Sequence, residues 1–111
     1  MYLLKKTFKI EGAHFLNLDY DSPCKNLHGH SWTVTMYCRS KKLNNNGMII
    51  DFSEISRLIK VPLDHKCLND VLDFNPTAEN LAYWIYFEIS DCYRVDVQET
   101  DGNIASYIEE D

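Results

Sequence analysis

Long apolar runs and an excess of positive charge are both missing from this chain of 111 residues. No stretch approaches the roughly 20 apolar residues of a membrane span. The opening segment MYLLKKTFKI mixes short apolar runs with lysines, so we expect no signal peptide. The 17 acidic and 11 basic residues give a formal net charge of -6, which argues against a nucleic-acid or membrane-surface binder. A local cluster of lysines can still bind a phosphorylated substrate.

Closely spaced cysteine pairs are missing as well. The four cysteines form no CxxC motif and occupy the positions Cys24, Cys38, Cys67 and Cys92. Without a secretory signal, this pattern favours reduced thiols and a cytoplasmic protein over two disulfides. We expect Cys38, Cys67 and Cys92 to be buried and inert.

The composition shows no break that would separate two domains. With 45% hydrophobic and 13% aromatic residues, the chain can form one packed core, so we expect a single domain over residues 1–111. A chain of this length has a high ratio of surface to volume, which favours oligomerisation.

Alternation of polar and apolar residues predicts four strands. Residues 2–11 have the pattern of an edge strand, and residues 30–40 are rich in Trp, Thr, Val and Tyr, which favour strands. Residues 93–99 alternate again, and residues 104–108 return after an Asp-Gly hairpin turn.

Two amphipathic segments predict helices between these pairs of strands. Asp51 and Glu54 resemble a capping box ahead of a first helix, which Pro62 ends, and residues 63–71 predict an irregular connection. Thr77 is the expected N-cap of the second helix. The order strand, strand, helix, helix, strand, strand predicts an α+β fold, in which both helices cover one face of an antiparallel four-stranded sheet.

Three of the four histidines predict a metal site. His28 and His30 are two residues apart at the start of a strand, so their side chains point to the same face. His14 ends the first strand, and antiparallel pairing across the loop at residues 15–27 brings it to the same end of the sheet. Three imidazoles without an obvious fourth protein ligand describe an open tetrahedral zinc site. Open sites are catalytic, because the free position takes water or a substrate oxygen.

Two other interpretations of these histidines stay open. They can be ordinary surface or core residues, since an HxH pair alone is a weak signal. They can also belong to a structural zinc site in which Cys24 supplies the fourth ligand.

Candidates for proton transfer lie at Cys24 and at Asp64-His65. Cys24 precedes His28 by four residues, and a nearby dication favours the thiolate, which makes Cys24 a candidate base. Asp64 can hold His65 in one tautomer. Because neighbouring residues of a strand point in opposite directions, this pair requires an irregular loop, and a solvated Asp64 beside an exposed His65 is the simpler interpretation.

Glu99 lies at the end of a predicted strand, just before the hairpin turn. A carboxylate in this position can accept two parallel hydrogen bonds from a planar, amidine-like edge of a ligand. A solvated carboxylate is the alternative.

Six segments, in order along nearly the whole chain, together resemble the motifs of one family. They are Gly12-Ala13-His14, residues 24–30 (CKNLHGH), residues 47–52 (GMIIDF), residues 63–70 (LDHKCLND), residues 75–80 (NPTAEN) and Gln98-Glu99-Thr100. Each segment alone is a modest signal, but six in this order are specific. With them the chain resembles the 6-pyruvoyltetrahydropterin synthase and 6-carboxytetrahydropterin synthase family.

The resemblance implies the tunnelling fold, in which subunits join their sheets into an oligomeric barrel with active sites at subunit interfaces. It implies a homo-oligomer, with a homohexamer built as a dimer of trimers as the first expectation. The implied substrate is 7,8-dihydroneopterin triphosphate, and no external redox cofactor is implied.

The resemblance also implies roles for individual residues. His14, His28 and His30 bind Zn²⁺, which holds the side-chain hydroxyls of the substrate. Cys24 is the implied base that abstracts a proton, and Asp64 with His65, from a neighbouring subunit, assists it. Glu99 is implied to bind the pterin, and Thr77 to make a further contact with it.

Two features point to different members of the family. Only three residues separate Cys24 from His28, and this spacing resembles the bacterial carboxy-type enzymes of the queuosine and deazapurine route. Residues 99–104 resemble the ending of the pyruvoyl-type enzymes instead. Because the loop positions the base, we expect the carboxy-type lyase, with the pyruvoyl-type synthase and a non-catalytic, zinc-stabilised binding domain as alternatives. The short segment between Asp51 and Asp64 predicts a clipped first helix.

Overall fold

One five-stranded sheet forms the main layer of the structure, a computed structural model that describes residues 1–110. Its strands are β1 (Tyr2–His14), β2 (His28–Ser40), β3 (Lys66–Cys67), β4 (Cys92–Thr100) and β5 (Asn103–Ile108). They lie in the order β3-β1-β2-β4-β5, and all pairs are antiparallel except β3 with β1. The predicted four antiparallel strands are present, but the prediction of a four-stranded sheet is wrong, because two residues are too few to show the alternation that marks a strand.

The register of the long strands aligns one apolar face. Phe8 pairs with Val34, which in turn pairs with Val97, and Ile10 pairs with Trp32. All five side chains are buried in one hydrophobic core. Because side chains alternate along each strand, the intervening polar residues cover the opposite face of the sheet.

The first helical segment continues through the proline that we expected to end it. It consists of α1 (Phe52–Ile55), a π-helical stretch (Ser56–Lys60) and α2 (Val61–Leu63). The N–H of Val61 bonds to the carbonyl of Ser56, five residues back, and this wider turn keeps the ring of Pro62 from the clash it would cause in a regular helix. The helix therefore continues past Pro62 and ends at Leu63.

Asp51 caps this helix, although the predicted capping box is incomplete. The Asp51 carboxylate accepts from the N–H of Ser53 at 2.8 Å. The Glu54 carboxylate pairs with Arg57 rather than reaching back to the cap. Only one of the two hydrogen bonds of a capping box is therefore formed at this helix N-terminus.

The second predicted helix is α4 (Ala78–Glu88), and Thr77 is its N-cap as expected. The connection before it is more regular than predicted, since β3 and the single turn α3 (Leu68–Val71) lie within it. Both helical segments contribute to the core on the apolar face of the sheet, through Ile55, Ile59, Leu81, Ala82 and Ile85.

Both edges of the sheet are largely open within the described chain. The outer edge of β1 pairs with β3 only at Gly12 and Ala13, and β5 pairs only with β4. Open edges are sites where another strand can add. Residues 1–110 contain no helix that is long and apolar enough to cross a bilayer.

Candidate metal centre and active site

Three imidazoles converge where β1 ends and β2 begins. The antiparallel register sets His14 opposite His28 and Gly12 opposite His30. The ring centroids lie 4.6 Å (His14–His28), 5.1 Å (His14–His30) and 4.8 Å (His28–His30) apart. One ligand nitrogen from each ring lies within 4.8 Å of the others. The predicted convergence of the three histidines is therefore confirmed.

Backbone carbonyls orient two of these rings. His14 Nδ1 lies 2.8 Å from the carbonyl oxygen of Pro76, and His28 Nδ1 lies 2.6 Å from that of Asn26. Because a carbonyl only accepts, both Nδ1 atoms carry the proton, which leaves the lone pair on Nε2. This arrangement is common in metal-binding histidines, whose second nitrogen is anchored by a backbone or carboxylate oxygen.

Burial favours the neutral form of two rings. His14 is fully buried, and its desolvation lowers its pKa, although the hydrogen bond to Pro76 acts in the opposite direction. Desolvation also lowers the pKa of His30, against the charge of Glu99. A neutral imidazole is the form that binds a metal.

Two buried nitrogens of the cluster have no hydrogen-bond partner among residues 1–110. They are Nε2 of His14 and Nε2 of His30. An unpaired buried polar atom is costly and requires an explanation such as a bound ion. Three convergent nitrogen donors suit a divalent ion such as Zn²⁺, so the residues present fit a zinc site. This fit argues against ordinary core histidines.

An indole packs against the same two rings. The Trp32 ring is 4.9 Å from that of His14 and 5.3 Å from that of His30, and its Nε1–H donates to the carbonyl of Gly12 at 3.1 Å. A Cβ on Gly12 would lie 3.3 Å from both Trp32 Nε1 and Leu68 Cδ2. This packing was not predicted from the sequence, although Trp32 continues the two-residue period of the two histidines before it.

Cys24 lies in a 3₁₀ turn (Pro23–Lys25) of the loop between β1 and β2. The N–H of Cys24 donates to the Ser22 hydroxyl at 3.2 Å, and the carbonyl of Cys24 accepts from the N–H of Leu16 at 2.9 Å. The thiol is half-buried and does not belong to the group of converging metal-ligand atoms found in residues 1–110. The alternative with Cys24 as a fourth zinc ligand gains no support from this arrangement.

Asp64 and His65 form a pair despite being neighbours in sequence. His65 Nδ1 lies 3.1 Å from Asp64 Oδ2. His65 has a φ of 58°, in the left-handed region, and this irregular backbone turns its side chain toward Asp64. The hydrogen bond from the N–H of Glu11, at 2.9 Å, is the main cause that lowers the pKa of Asp64, and His65 adds to it. The pair is therefore a carboxylate and an imidazole that is 77% exposed.

This pair lies at the edge of the sheet beside β3. His65 and His30 both line an open depression of about 470 Å³, together with Glu11, Gly12, Ala13, Gly29, Ser31 and Lys66. In the part of the chain that the structure describes, no hydrogen bond or ion pair joins Asp64 or His65 to Cys24. The structure thus gathers the three imidazoles in one cluster and pairs Asp64 with His65, and His30 and His65 line the same depression. Within residues 1–110, no hydrogen bond or ion pair joins either group to the thiol.

The two residues expected to contact a ligand lie near the histidine cluster. Glu99 Oε1, on β4, is 3.3 Å from His30 Nε2, but the contact lacks hydrogen-bond geometry. The Thr77 hydroxyl accepts from the N–H of Asn80 at 3.1 Å, and Thr77 adjoins Pro76, which holds His14.

The chain matches known proteins over almost its whole length. Residues 3–110 match the sequence model of the family described as 6-pyruvoyl tetrahydropterin synthase. The chain is 35% identical to the 6-carboxy-5,6,7,8-tetrahydropterin synthase of Synechocystis sp., over 96% of this chain and 93% of that protein. It is 30% identical to the Bacillus subtilis protein of the same name, over 94% of this chain and 83% of that protein.

A solved structure shares the fold. The 6-pyruvoyl tetrahydropterin synthase of Caenorhabditis elegans superposes with a TM-score of 0.77 at 22% identity, and the match covers 98% of this chain and 96% of that one. With the family match over almost the whole chain, the protein belongs to the 6-pyruvoyl tetrahydropterin synthase family.

Proposed function

We propose that the protein is a zinc-dependent lyase that converts 7,8-dihydroneopterin triphosphate to 6-carboxy-5,6,7,8-tetrahydropterin, acetaldehyde and triphosphate. The observation that carries the proposal is the cluster of His14, His28 and His30, with two buried Nε2 atoms unpaired within residues 1–110, in a chain of this family. The reaction would belong to the queuosine and 7-deazapurine route in the cytoplasm.

The three Nε2 atoms would hold the ion, since the Nδ1 atoms of His14 and His28 are already engaged by carbonyls. A bound zinc ion supplies Lewis acidity toward an oxygen of the substrate side chain. Trp32 closes one side of the cluster by packing against the rings of His14 and His30.

The proton transfers are assigned to this chain's thiol and its imidazole–carboxylate pair. Cys24 Sγ removes a carbon-bound proton from the side chain of the substrate, and His65 returns or relays protons while Asp64 fixes its tautomer. Glu99, with Thr77 nearby, accepts hydrogen bonds from the 2-amino-4-oxo edge of the pterin. The short contact between Asp64 and His65 and the position of Glu99 beside His30 support these assignments.

The chemistry balances without a redox cofactor. Elimination of triphosphate, with internal transfer of hydrogen, oxidises the side chain to a diketone while it reduces the ring. Water then cleaves the bond between the two carbonyl carbons, and one carbon becomes the carboxylate while the other leaves in acetaldehyde. The pyruvoyl-type synthase would stop after the first stage.

The carboxy-type product is favoured by two observations. Only three residues separate Cys24 from His28, and the Synechocystis and Bacillus subtilis relatives, which match 96% and 94% of the chain, carry the carboxy-type name. The pyruvoyl-type product remains the second candidate because of the resemblance at residues 99–104.

A homo-oligomer with interface active sites, such as a homohexamer formed as a dimer of trimers, completes the proposal. Cys24 has no hydrogen bond to the Asp64–His65 pair within residues 1–110, and both sheet edges are largely open. A second copy that adds its sheet at an open edge would supply the pair to the Cys24 of its neighbour.

The direct test is to incubate the zinc-loaded protein with 7,8-dihydroneopterin triphosphate and to identify the products by mass spectrometry. We expect 6-carboxytetrahydropterin with stoichiometric acetaldehyde and triphosphate. Triphosphate with the pyruvoyl product and no acetaldehyde would identify the second candidate. If the protein binds one zinc per chain but does not consume the substrate, the result would support the alternative of a non-catalytic, zinc-stabilised binding domain. Cys24→Ala should abolish turnover and retain zinc.

A further inference from the structure

The segment that follows His14 is held along one edge by two asparagine side chains. Asn69 Oδ1 accepts from the N–H of Phe15 at 2.9 Å, and Asn69 Nδ2 donates to the carbonyl of the same residue at 2.9 Å. Asn75 does the same for Asn17, at 2.9 Å and 3.1 Å. Each side-chain amide thus replaces the donor and acceptor that a neighbouring strand would present.

The opposite edge of the same segment holds Cys24. Residues 15 and 17 present their backbone groups to the asparagines, while the N–H of Leu16, between them, donates to the carbonyl of Cys24 at 2.9 Å. This alternation is that of a strand. A displacement of Phe15 or Asn17 would therefore move the backbone of Cys24.

Asn75 belongs to the segment that also orients the candidate metal centre. Asn75 precedes Pro76, whose carbonyl accepts from His14 Nδ1. The carbonyl of Asn75 in turn accepts from Asn80 Nδ2, at 2.9 Å, within the first turn of α4. One piece of chain, anchored to a helix, thus contacts both the metal ligand and the strip of backbone that carries Cys24.

We propose that Asn69 and Asn75 are positioning residues, which fix the distance between the Cys24 thiol and the metal centre. The inference rests on the proposed function in assigning Cys24 as the base. Its structural part, that the two amides hold the Cys24 loop, can be tested without turnover.

The test uses Asn75→Ala and Asn69→Ala in the full-length, zinc-loaded protein. We expect zinc to stay at one ion per chain, while kcat falls by about 10- to 100-fold and KM changes little, because small misplacement of a reacting group costs about this much. Hydrogen exchange at the N–H of Leu16 should accelerate. The rate of Cys24 alkylation by iodoacetamide, followed by peptide mapping, should change in the same variants.

Asn75→Asp and Asn69→Asp are the conservative variants. Aspartate keeps the acceptor for the N–H of residue 17 or 15 but places an oxygen against the carbonyl of the same residue. In these variants too, kcat should fall and hydrogen exchange at the N–H of Leu16 should accelerate. Asn45→Ala changes an exposed asparagine in the turn after β2 and is the matched control, with parental values expected throughout. A general loss of folding would instead lower the zinc content and the melting temperature in proportion to kcat.

Parental Leu16 exchange and parental Cys24 alkylation in folded alanine variants would overturn the proposal. If the alanine variants do not fold, the aspartate variants provide the test. A parental rate of hydrogen exchange at the N–H of Leu16 in those variants would also overturn the proposal. If the parent protein does not consume the pterin substrate, the proposed function fails, while exchange and alkylation still report on the two amides. Parental kcat in a variant with an altered loop would reject the positioning role alone.

Discussion

His14 Nδ1 donates to the carbonyl of Pro76 over 2.8 Å, and this bond joins the candidate metal centre to the start of α4. It fixes the tautomer of a fully buried ring whose Nε2 has no partner within residues 1–110. The fold itself therefore fixes the orientation of the His14 ring within the cluster.

The first prediction concerns metal content. His14→Ala and His30→Ala should each lower zinc from about one ion per chain to a small fraction, because two imidazoles bind the ion far more weakly than three. Added zinc should raise the melting temperature of the parent and not of these variants, since a ligand stabilises only a fold that binds it. His65→Ala removes an exposed imidazole outside the cluster and should retain full zinc content. Equal zinc in all variants by metal analysis would contradict the site.

The second prediction uses the indole beside the cluster as a reporter. Trp32 lies within 4.9 Å and 5.3 Å of two imidazole rings, whereas Trp84 lies on α4 outside the cluster. Loading with Co²⁺, which binds imidazole ligands and absorbs light, should quench the emission of Trp32. Trp84→Phe should keep this response and Trp32→Phe should lose it. A response that follows Trp84 would place the ion elsewhere.

The third prediction compares two glycines of the paired strands. A Cβ on Gly12 would lie 3.3 Å from Trp32 Nε1 and from Leu68 Cδ2, whereas a Cβ on Gly29 would meet no atom within 4 Å. Gly12→Ala should cost about 1–3 kcal/mol in the free energy of unfolding, because the buried neighbours must shift. Gly29→Ala should change it by less than about 0.5 kcal/mol. Urea titration of the zinc-free proteins measures both, and equal values would contradict the packing at Gly12.

The convergence of the histidines was predictable because it follows from two periodic rules. Side chains two residues apart on a strand share a face, and antiparallel pairing returns His28 to the level of His14. The contact of Asp64 with His65 was not predictable, because it depends on a left-handed backbone conformation at His65, a residue other than glycine. The carbonyls of Pro76 and Asn26 were missed for a different reason, since every residue has a carbonyl and the sequence does not mark which one points at a ring.

The same limit applies to the fold. Alternation identified the four long strands, and the caps at Asp51 and Thr77 were recognised from their residue types. Pro62 was misread, because a wider helical turn can accommodate a proline and no residue type announces that turn. Whether a break in pattern ends an element is decided by tertiary packing rather than by local propensity.

The fourth prediction concerns the cysteines. Cys38 and Cys92 pair across β2 and β4, and both are buried as expected. Cys24 is half-buried. Cys67 is half-buried too, although the sequence predicted that it would be buried. The pKa of the Cys38 thiol is raised, mainly by its hydrogen bond with Cys92 and secondly by burial. In the native protein, iodoacetamide should modify Cys24 and Cys67 and spare the other two until urea unfolds the chain. Modification of Cys38 before unfolding, seen by peptide mapping, would contradict this burial.

The fifth prediction concerns acid stability and the polar face of the sheet. Asp96 accepts from Tyr37 Oη at 2.9 Å, from Arg94 Nε at 2.9 Å and from Ser106 Oγ at 2.6 Å. Desolvation acts to raise the pKa of this carboxyl, but the three hydrogen bonds outweigh it and the pKa is lowered.

A depressed pKa in the folded state means that the ionised form stabilises the protein above the pKa of the unfolded chain. This contribution is lost as the pH falls through the lower pKa of the folded state. Asp96→Asn should therefore reduce the free energy of unfolding by about 1–3 kcal/mol at neutral pH, and the deficit should shrink as the pH falls below about 4. Urea titrations of the zinc-free proteins at several pH values give this difference, since protonation of the shared histidines cancels in the comparison. Glu54→Gln, which removes only an exposed ion pair with Arg57, should change stability little at any pH, and a deficit for Asp96→Asn that persists unchanged in acid would show that packing rather than charge is lost.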